Sequence, residues 1–289
     1  MSSADTVYKN IERNFISWAH SAEDIRAAFI VGSRARIDHP ADEWSDLDLL
    51  FFTSKQNDYL NNNEWLKNFG TLWTSFVSKT AGGDPECLTL YDGGWQVDFV
   101  IHSLDNLEHI VKNRIVPKNF NRGVKVIVDK DHVANNIMPQ SFMAPTGNAL
   151  SEEKFIETVH QFWFVALYTA KQILRNELWV AKLRDSNMKE CLLQMIEWHE
   201  KVINGEDYDT WHAGRFLSEW AGEEIKEELR HSFGHFDESD SWKSLMATIS
   251  LFKRLSHTIA EKRKFSYPNE LENHMNDWLN LQNAKQRDN

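Results

Sequence analysis

The sequence predicts an α+β fold, with a mixed β-sheet flanked by helices in residues 1–145 and an all-α helical bundle in residues 146–289. Short apolar runs typical of strands alternate with helical segments in the first part. In the second part, apolar residues recur at helical spacing, and glycine or proline interrupts few of the segments. We therefore expect two domains, joined by a connector that includes Pro139 and Pro145-Thr146-Gly147.

The elements of the first part follow from its runs of β-branched, aromatic and other apolar residues. A glycine turn, Asp92-Gly93-Gly94, separates two of these runs and is typical of a β-hairpin. The predicted helices are residues 5–20, 61–68 and 104–112, and the predicted strands are residues 27–31, 46–52, 76–77, 87–91, 95–101 and 124–128.

The second part begins with a helix start signal. Ser151 is followed by Glu152 and Glu153, so a helix that begins here gains a side-chain cap and two acids at its positive N-terminal end. Apolar residues then recur at helical spacing as far as Leu174. Further helices are predicted over residues 188–203, 216–230, 242–263 and 269–281.

Three acids in the first part indicate a metal site. Asp46 and Asp48 are two residues apart on a predicted strand, so their side chains project from the same face. Two carboxylates that close repel each other unless a cation lies between them. Asp98 lies inside an apolar run, where a buried charge needs a partner. Carboxylate oxygens favour Mg²⁺, which usually bridges protein carboxylates to substrate phosphates.

A glycine turn precedes these acids. Gly32-Ser33 stops the strand at residues 27–31, and glycine lets the backbone approach a phosphate group closely. Each piece alone has an ordinary alternative, because most Gly-Ser pairs are simple turns and Asp-x-Asp is common on solvated strands. Their order on strand-like runs favours a combined phosphate and metal site.

These residues resemble the nucleotidyltransferases of the polymerase-β type, whose pattern is a glycine-serine turn, an Asp-x-Asp and a later acid on a neighbouring strand. The chain is more closely similar to the aminoglycoside 6-adenylyltransferase (streptomycin adenylyltransferase) family. The similarity spans nearly the whole chain and is carried, in order, by residues 32–37, 40, 42–44, 46, 48, 63–70, 98, 126–131, 260–263 and 267–268.

The resemblance implies a catalytic nucleotidyltransferase domain in residues 1–145 and a helical domain that binds substrate and nucleotide in residues 146–289. It implies that a hydroxyl of a cationic antibiotic, the 6-hydroxyl of streptomycin, attacks the α-phosphorus of ATP. Asp46 and Asp48 would hold two Mg²⁺ ions. Asp98 would be either a third metal ligand or the general base, and we favour the base.

The resemblance also implies a set of groups that bind the triphosphate of ATP. Gly32 and Ser33 would contact the phosphates, and Arg36 follows them closely enough to take part. Arg34 is a further candidate, although both arginines have acids nearby, Asp38 and Asp42, as alternative partners.

Lys171 and Arg175 lie four residues apart on the first long helix and therefore share a face. In related enzymes the helical domain supplies such cations to the nucleotide. The alternative for this pair is a solvated helix face.

Charge and composition limit the partners. A net charge of −11 disfavours a nucleic-acid acceptor, because proteins that bind a phosphate backbone usually carry a basic face. No run approaches the ~20 apolar residues of a membrane span, and the polar N-terminus lacks a signal-peptide core. Cys87 and Cys191 are expected to be reduced core thiols. We expect a cytoplasmic monomer with no membrane or nucleic-acid partner.

Two other functions are compatible with the sequence. One is a nucleotidyltransferase that modifies another antibiotic or a protein, although enzymes of the antitoxin type tend to be much shorter. The other is a non-catalytic nucleotide-binding module. Such a module would be expected to lack one of Asp46, Asp48 and Asp98, and all three are present.

Overall fold

The computed structural model describes residues 3–144 and 150–287, and the chain divides into two compact units, Met1–Pro145 and Thr146–Asn289. The segment Pro145-Thr146-Gly147 of the predicted connector lies outside the described residues. The predicted α+β class is confirmed, since the first unit contains a mixed sheet and the described part of the second unit is helical.

The strands of the first unit and two of its three helices lie on the predicted runs. The strands are β1 (Ile25–Val31), β2 (Leu47–Thr53), β3 (Leu72–Lys79), β4 (Pro85–Tyr91), β5 (Trp95–Ser103) and β6 (Lys125–Asp129), and the helices are α1 (Ser3–Ser21), α2 (Gln56–Asn61) and α3 (Leu104–Lys112).

These strands form one sheet in the order β3-β4-β5-β2-β1-β6. β2 pairs antiparallel with β1 and parallel with β5, so the sheet is mixed and β2 lies inside it. β4 pairs antiparallel with β5 and with β3, which is an edge strand.

The two faces of the sheet are covered differently. α1 packs on one face, where fully buried Phe15 lies 5.7 Å from Phe51 and 6.2 Å from Phe99 between ring centroids. α3 and the segment before β6 cover part of the other face, where Leu107 and Phe120 belong to the same buried cluster as Phe52. Truncating a buried Phe to Ala typically costs ~3–5 kcal/mol, so α1 is a major stabilising element of this unit.

One predicted helix of the first unit is wrong. In place of a helix over residues 61–68, α2 ends at Asn61, Asn62 is extended at φ −137° and ψ 129°, and a short 3-10 helix covers Glu64–Asn68. The Asn62 side chain accepts a hydrogen bond from the Glu64 N–H, a local bond of the kind by which asparagine competes with helix.

Helices of the second unit are α4 (Glu152–Leu174), α5 (Leu178–Asn204), α6 (Leu217–Trp220), α7 (Glu223–His231), α8 (Glu238–Arg263) and α9 (Asn269–Arg287). The predicted cap is confirmed, because the Ser151 side chain accepts from the Lys154 N–H. The predicted helix over residues 216–230 is instead two helices, interrupted at Ala221 and Gly222. The core of the unit includes Phe162 stacked on Phe252 at 3.6 Å.

Cys87 and Cys191, both within the described residues, are buried free thiols, as predicted. Among the described residues, no helix has the length and apolar character that a membrane crossing requires.

Candidate functional site

Three carboxylates meet at one end of the sheet, as the sequence predicts. Asp48 lies in β2 and pairs in register with Asp98 of β5, while Asp46 lies one residue before β2 begins. One carboxylate oxygen from each residue lies within 4.8 Å of those of the other two. Among the described residues this is the one group of three or more His, Cys, Asp or Glu side chains close enough to share a metal ion. We call it the acidic triad.

Gly32 makes room for the Asp48 carboxylate. It follows β1 with a φ of +68°, in the left-handed region that glycine adopts most easily. A Cβ placed on Gly32 would lie only 1.9 Å from Oδ2 of Asp48. The sequence suggests glycine here for close approach to a phosphate, and the structure adds a second reason, close approach to a triad carboxylate. This fit, with three hard oxygen donors converging, suits a divalent cation.

The carboxyl group of Asp98 has a perturbed pKa. Burial raises the pKa of its carboxyl group to about 6, and the charges of Asp46 and Glu86 act in the same direction. The Gln96 side-chain amide opposes this shift, since it donates to Oδ1 at 3.2 Å and to Oδ2 at 3.3 Å. Sequence reasoning missed Gln96. Its position two residues before Asp98 on the same strand, hence on the same face, is the signal that could have identified it.

Arg34 holds the segment that leads into β2. Its guanidinium donates to the backbone oxygens of Asp46 at 2.9 Å and Ser45 at 2.8 Å, and it lies 3.7 Å from the centre of the Tyr8 ring. The sequence offered Arg34 as a phosphate ligand or as a partner of Asp38 or Asp42. In the structure it contacts main-chain oxygens, fixes the backbone of Asp46 and lies 3.7 Å from Oδ1 of Asp5 in place of Asp38 or Asp42. Its role as a phosphate ligand stays a prediction.

The two acids proposed as alternative partners of the arginines have other contacts. Asp38 accepts from Arg122 at 3.0 Å. Asp42 accepts from the Ser45 hydroxyl at 2.7 Å and from the Trp44 N–H at 3.0 Å, which closes a local turn.

Ser33 lines a cavity between α1 and the turn after β1, and no member of the acidic triad is among the residues that line it. Its side chain is 6 % exposed, and its hydroxyl has no hydrogen-bond partner in the described part of the chain. The cavity has a volume of about 220 Å³. Four cations and two acids contribute to its lining, so its wall carries a net positive charge in an acidic protein: Lys9, Arg34, Arg36, Lys125, Asp5 and Glu12.

The two cations predicted in the second unit are both exposed. Lys171 is in the last turn of α4, and Arg175 is the residue that follows the end of this helix, with its N–H bonded to the Lys171 carbonyl. Their role in nucleotide binding stays a prediction.

Comparison with known proteins identifies the family of the chain. A family model described as streptomycin adenylyltransferase matches residues 6–281. The chain belongs to the streptomycin adenylyltransferase family. It is therefore a nucleotidyltransferase.

Two curated relatives span most of the chain. An aminoglycoside 6-adenylyltransferase of Bacillus subtilis (strain 168) is 24% identical over 263 residues, which is 88% of this chain and 90% of the relative. An aminoglycoside 6-adenylyltransferase of Campylobacter jejuni is 22% identical over 264 residues, 88% of each chain. A crystal structure of an aminoglycoside 6-adenyltransferase from Bacillus subtilis is 19% identical and covers 92% of this chain and 95% of its own, with a TM-score of 0.44.

Replacing Gly32 by alanine should push the Asp48 carboxylate out of the triad. We expect nucleotidyl transfer to fall at least ~10²-fold, the loss seen when a preorganised electrostatic group is removed. Gly94→Ala is the matched control, because Gly94 also has a positive φ (+78°) but its Cβ would meet no described atom within 4 Å. Transfer rates of the two folded variants decide the question. Equal rates would show that the contact with Asp48 is unimportant.

Asp98→Asn should stabilise the metal-free protein. The pKa of Asp98 is raised above its unfolded value, so the carboxylate destabilises the fold once pH rises through about 6. We expect the variant to melt roughly 2–4 °C above the parent near neutral pH, and the gain should vanish below about pH 4, where both states bind the proton. Thermal scans in a chelator test this, with exposed Asp92→Asn as control. A gain that does not depend on pH would contradict it.

Proposed function

We propose that this nucleotidyltransferase moves AMP from Mg-ATP to a hydroxyl group of an aminoglycoside and releases pyrophosphate. The observation that carries the proposal is the convergence of Asp46, Asp48 and Asp98 beside Gly32 in a chain of this family. In phosphoryl transfer, proteins mainly position the reactants and stabilise charge. The triad and the cation-lined cavity supply groups for both tasks.

Asp46 and Asp48 would hold divalent metal, with Mg²⁺ as the expected ion and two ions as the expected number. Bound metal would supply charge neutralisation at the phosphates and at the attacking oxygen. Arg34 would contribute indirectly, because its hydrogen bonds to the backbone oxygens of Ser45 and Asp46 hold Asp46 in position.

The triphosphate would lie against Gly32 and Ser33. The Ser33 hydroxyl, buried and without a partner among the described residues, is suited to donate to a phosphate oxygen. Arg36 lines the same cavity, and its positive charge favours the same ligand. Lys171 and Arg175 of the second unit are further candidates, consistent with a role for residues 146–289 in binding substrate and nucleotide.

Asp98 is proposed as the general base. The acceptor oxygen forms a bond to the α-phosphorus while the hydroxyl proton passes to the Asp98 carboxylate. The bond from the α-phosphorus to the bridging oxygen breaks, and pyrophosphate leaves. A half-buried carboxyl group whose pKa is raised to about 6 is a stronger base than an ordinary aspartate. The alternative role, a third metal ligand, uses the same position in the triad.

For the acceptor we propose streptomycin, adenylylated on its 6-hydroxyl. The family name and the names of the two relatives support this choice. The net charge of −11 gives weaker physical support, because it favours a cationic ligand. The alternatives are another antibiotic or a protein as acceptor, and a module that binds nucleotide without turnover.

The members of the triad should differ in what their loss removes. Asp46→Asn and Asp48→Asn should each cost at least ~10²-fold in turnover and should weaken the thermal stabilisation that ATP with Mg²⁺ gives the parent. Asp98→Asn should lose turnover equally yet bind Mg-ATP with nearly the parent's affinity. Titration calorimetry and single-turnover rates measure both properties.

Two results would contradict these roles. Normal turnover in Asp46→Asn or Asp48→Asn would refute the metal site, and a collapse of nucleotide affinity in Asp98→Asn would make it a metal ligand in place of the base.

Incubation of the protein with Mg-ATP and streptomycin should release pyrophosphate and yield streptomycin heavier by one AMP group. Added salt should raise the KM for streptomycin, because guanidinium groups bind carboxylates through screened charge-assisted bonds. Mass spectrometry of a panel containing other aminoglycosides, a lincosamide and the protein fraction identifies the acceptor. AMP on any of these but not on streptomycin would refute the acceptor and keep the nucleotidyltransferase. Absence of transfer throughout would favour the module without turnover.

A further inference from the structure

One face of β3 and β4 is left open beside the triad. Cys87, Thr89 and Tyr91 of β4 point towards α1 and are buried. Glu86, Leu88 and Leu90 alternate with these residues along β4 and project from the opposite face. They and their partners in β3 are exposed or half-buried. We call them the open strip: Thr74, Phe76, Ser78, Glu86, Leu88 and Leu90.

The register connects this strip to the triad. Asp48 pairs with Asp98, Asp98 with Leu88, and Leu88 with Phe76. Partners in register project from the same face, and neighbouring strands lie ~4.8 Å apart. Leu88 is therefore next to Asp98, and Phe76 is about 10 Å away from it along one row. The strip is a continuation of the surface that carries the proposed general base.

The chemistry of the strip is unusual for a solvated face. Phe76 is 59 % exposed and Leu90 is 37 % exposed. Thr74 and Ser78, which carry hydroxyl groups, lie on either side of Phe76 on the same face of β3. Glu86 pairs with Val100, which places its carboxylate on the same face, close enough to act on Asp98 electrostatically. The strip offers the Phe76 ring, two hydroxyls and the Glu86 carboxylate, and the Asp98 carboxylate lies next to it. These groups match a molecule that combines sugar or cyclitol rings with cationic groups.

We propose that the open strip binds the cationic acceptor and directs its reactive hydroxyl to Asp98. Phe76 contacts a ring face or a guanidinium group of the acceptor, which an aromatic face attracts, and Glu86 pairs with a second cationic group. Two observations favour a cationic acceptor as the occupant. The Glu86 and Asp98 carboxylates complement its positive charge, and Leu88 and Phe76 continue the row of residues that begins at Asp98. The inference rests on the proposed function, since it assigns residues to the acceptor of that reaction.

The test compares three variants of the full chain, with streptomycin and Mg-ATP as substrates. Phe76→Ala should raise the KM for streptomycin about 3- to 10-fold, and Glu86→Gln about 10-fold. The KM for ATP should not change in either variant. Val77→Ala is the matched control, because Val77 is on the same strand, 51 % exposed and on the opposite face. It should keep both KM values.

Glu86→Gln should also reduce the dependence of the streptomycin KM on salt, which a purely structural role would not change. Unchanged KM values for streptomycin in both Phe76→Ala and Glu86→Gln would refute the open strip while the parent's turnover upheld the proposed function. A lowered melting temperature in Phe76→Ala with a normal KM would show a packing surface in its place. No AMP transfer by the parent would refute the proposed function itself, and with it the strip.

Discussion

The parallel pairing of β2 with β5 brings Asp48 and Asp98 side by side, and the site depends on this register. A shift of one residue would move either carboxylate to the face that α1 covers. The pairing is held by apolar neighbours on both strands, because Leu49 and Phe99 are fully buried under α1 and Leu50 is buried on the opposite face. Core packing thus fixes the spacing of two groups that repel each other.

The third carboxylate is fixed by different means. Asp46 lies before the first ladder residue of β2, so the sheet does not set its position. Arg34 does so through two backbone carbonyls, with Tyr8 beneath its guanidinium. The turn after β1 therefore contributes twice, since Gly32 gives space to Asp48 and Arg34 anchors Asp46. The short segment between β1 and β2 therefore organises a site to which β1, β2 and β5 all contribute.

Local pattern predicted much of this from sequence. Alternation along a strand predicted that Asp46 and Asp48 lie close together, as they do although Asp46 lies before β2. The glycine turn before β5 indicated the hairpin that contains Asp98. Local pattern failed at Asn62, whose side chain bonds to the backbone where a helix was predicted. It also failed to identify the partner of Arg34, which is the distant backbone oxygen of Asp46. The short turn Asp92-Gly93-Gly94 sets the register of β4 against β5 locally. The register of β2 against β5 joins distant segments of the chain, so the pairing of Asp48 with Asp98 could not be read from the sequence.

The alternation of side chains along β4 and β5 produces both the core and the surface that carries Asp98. The residues of β4 and β5 that face α1 form the core, and the intervening residues must project from the other face, where α3 covers only the part near Leu50 and Phe52. Carboxylates on the uncovered part stay within reach of a ligand, yet enough burial remains to raise the pKa of Asp98. The ionised Asp98 carboxylate lowers the stability of the metal-free fold, and a cation bound by the triad would offset this effect. Incomplete covering of one sheet face thus leaves the protein a carboxyl group with a raised pKa and the adjoining surface that we propose for the acceptor.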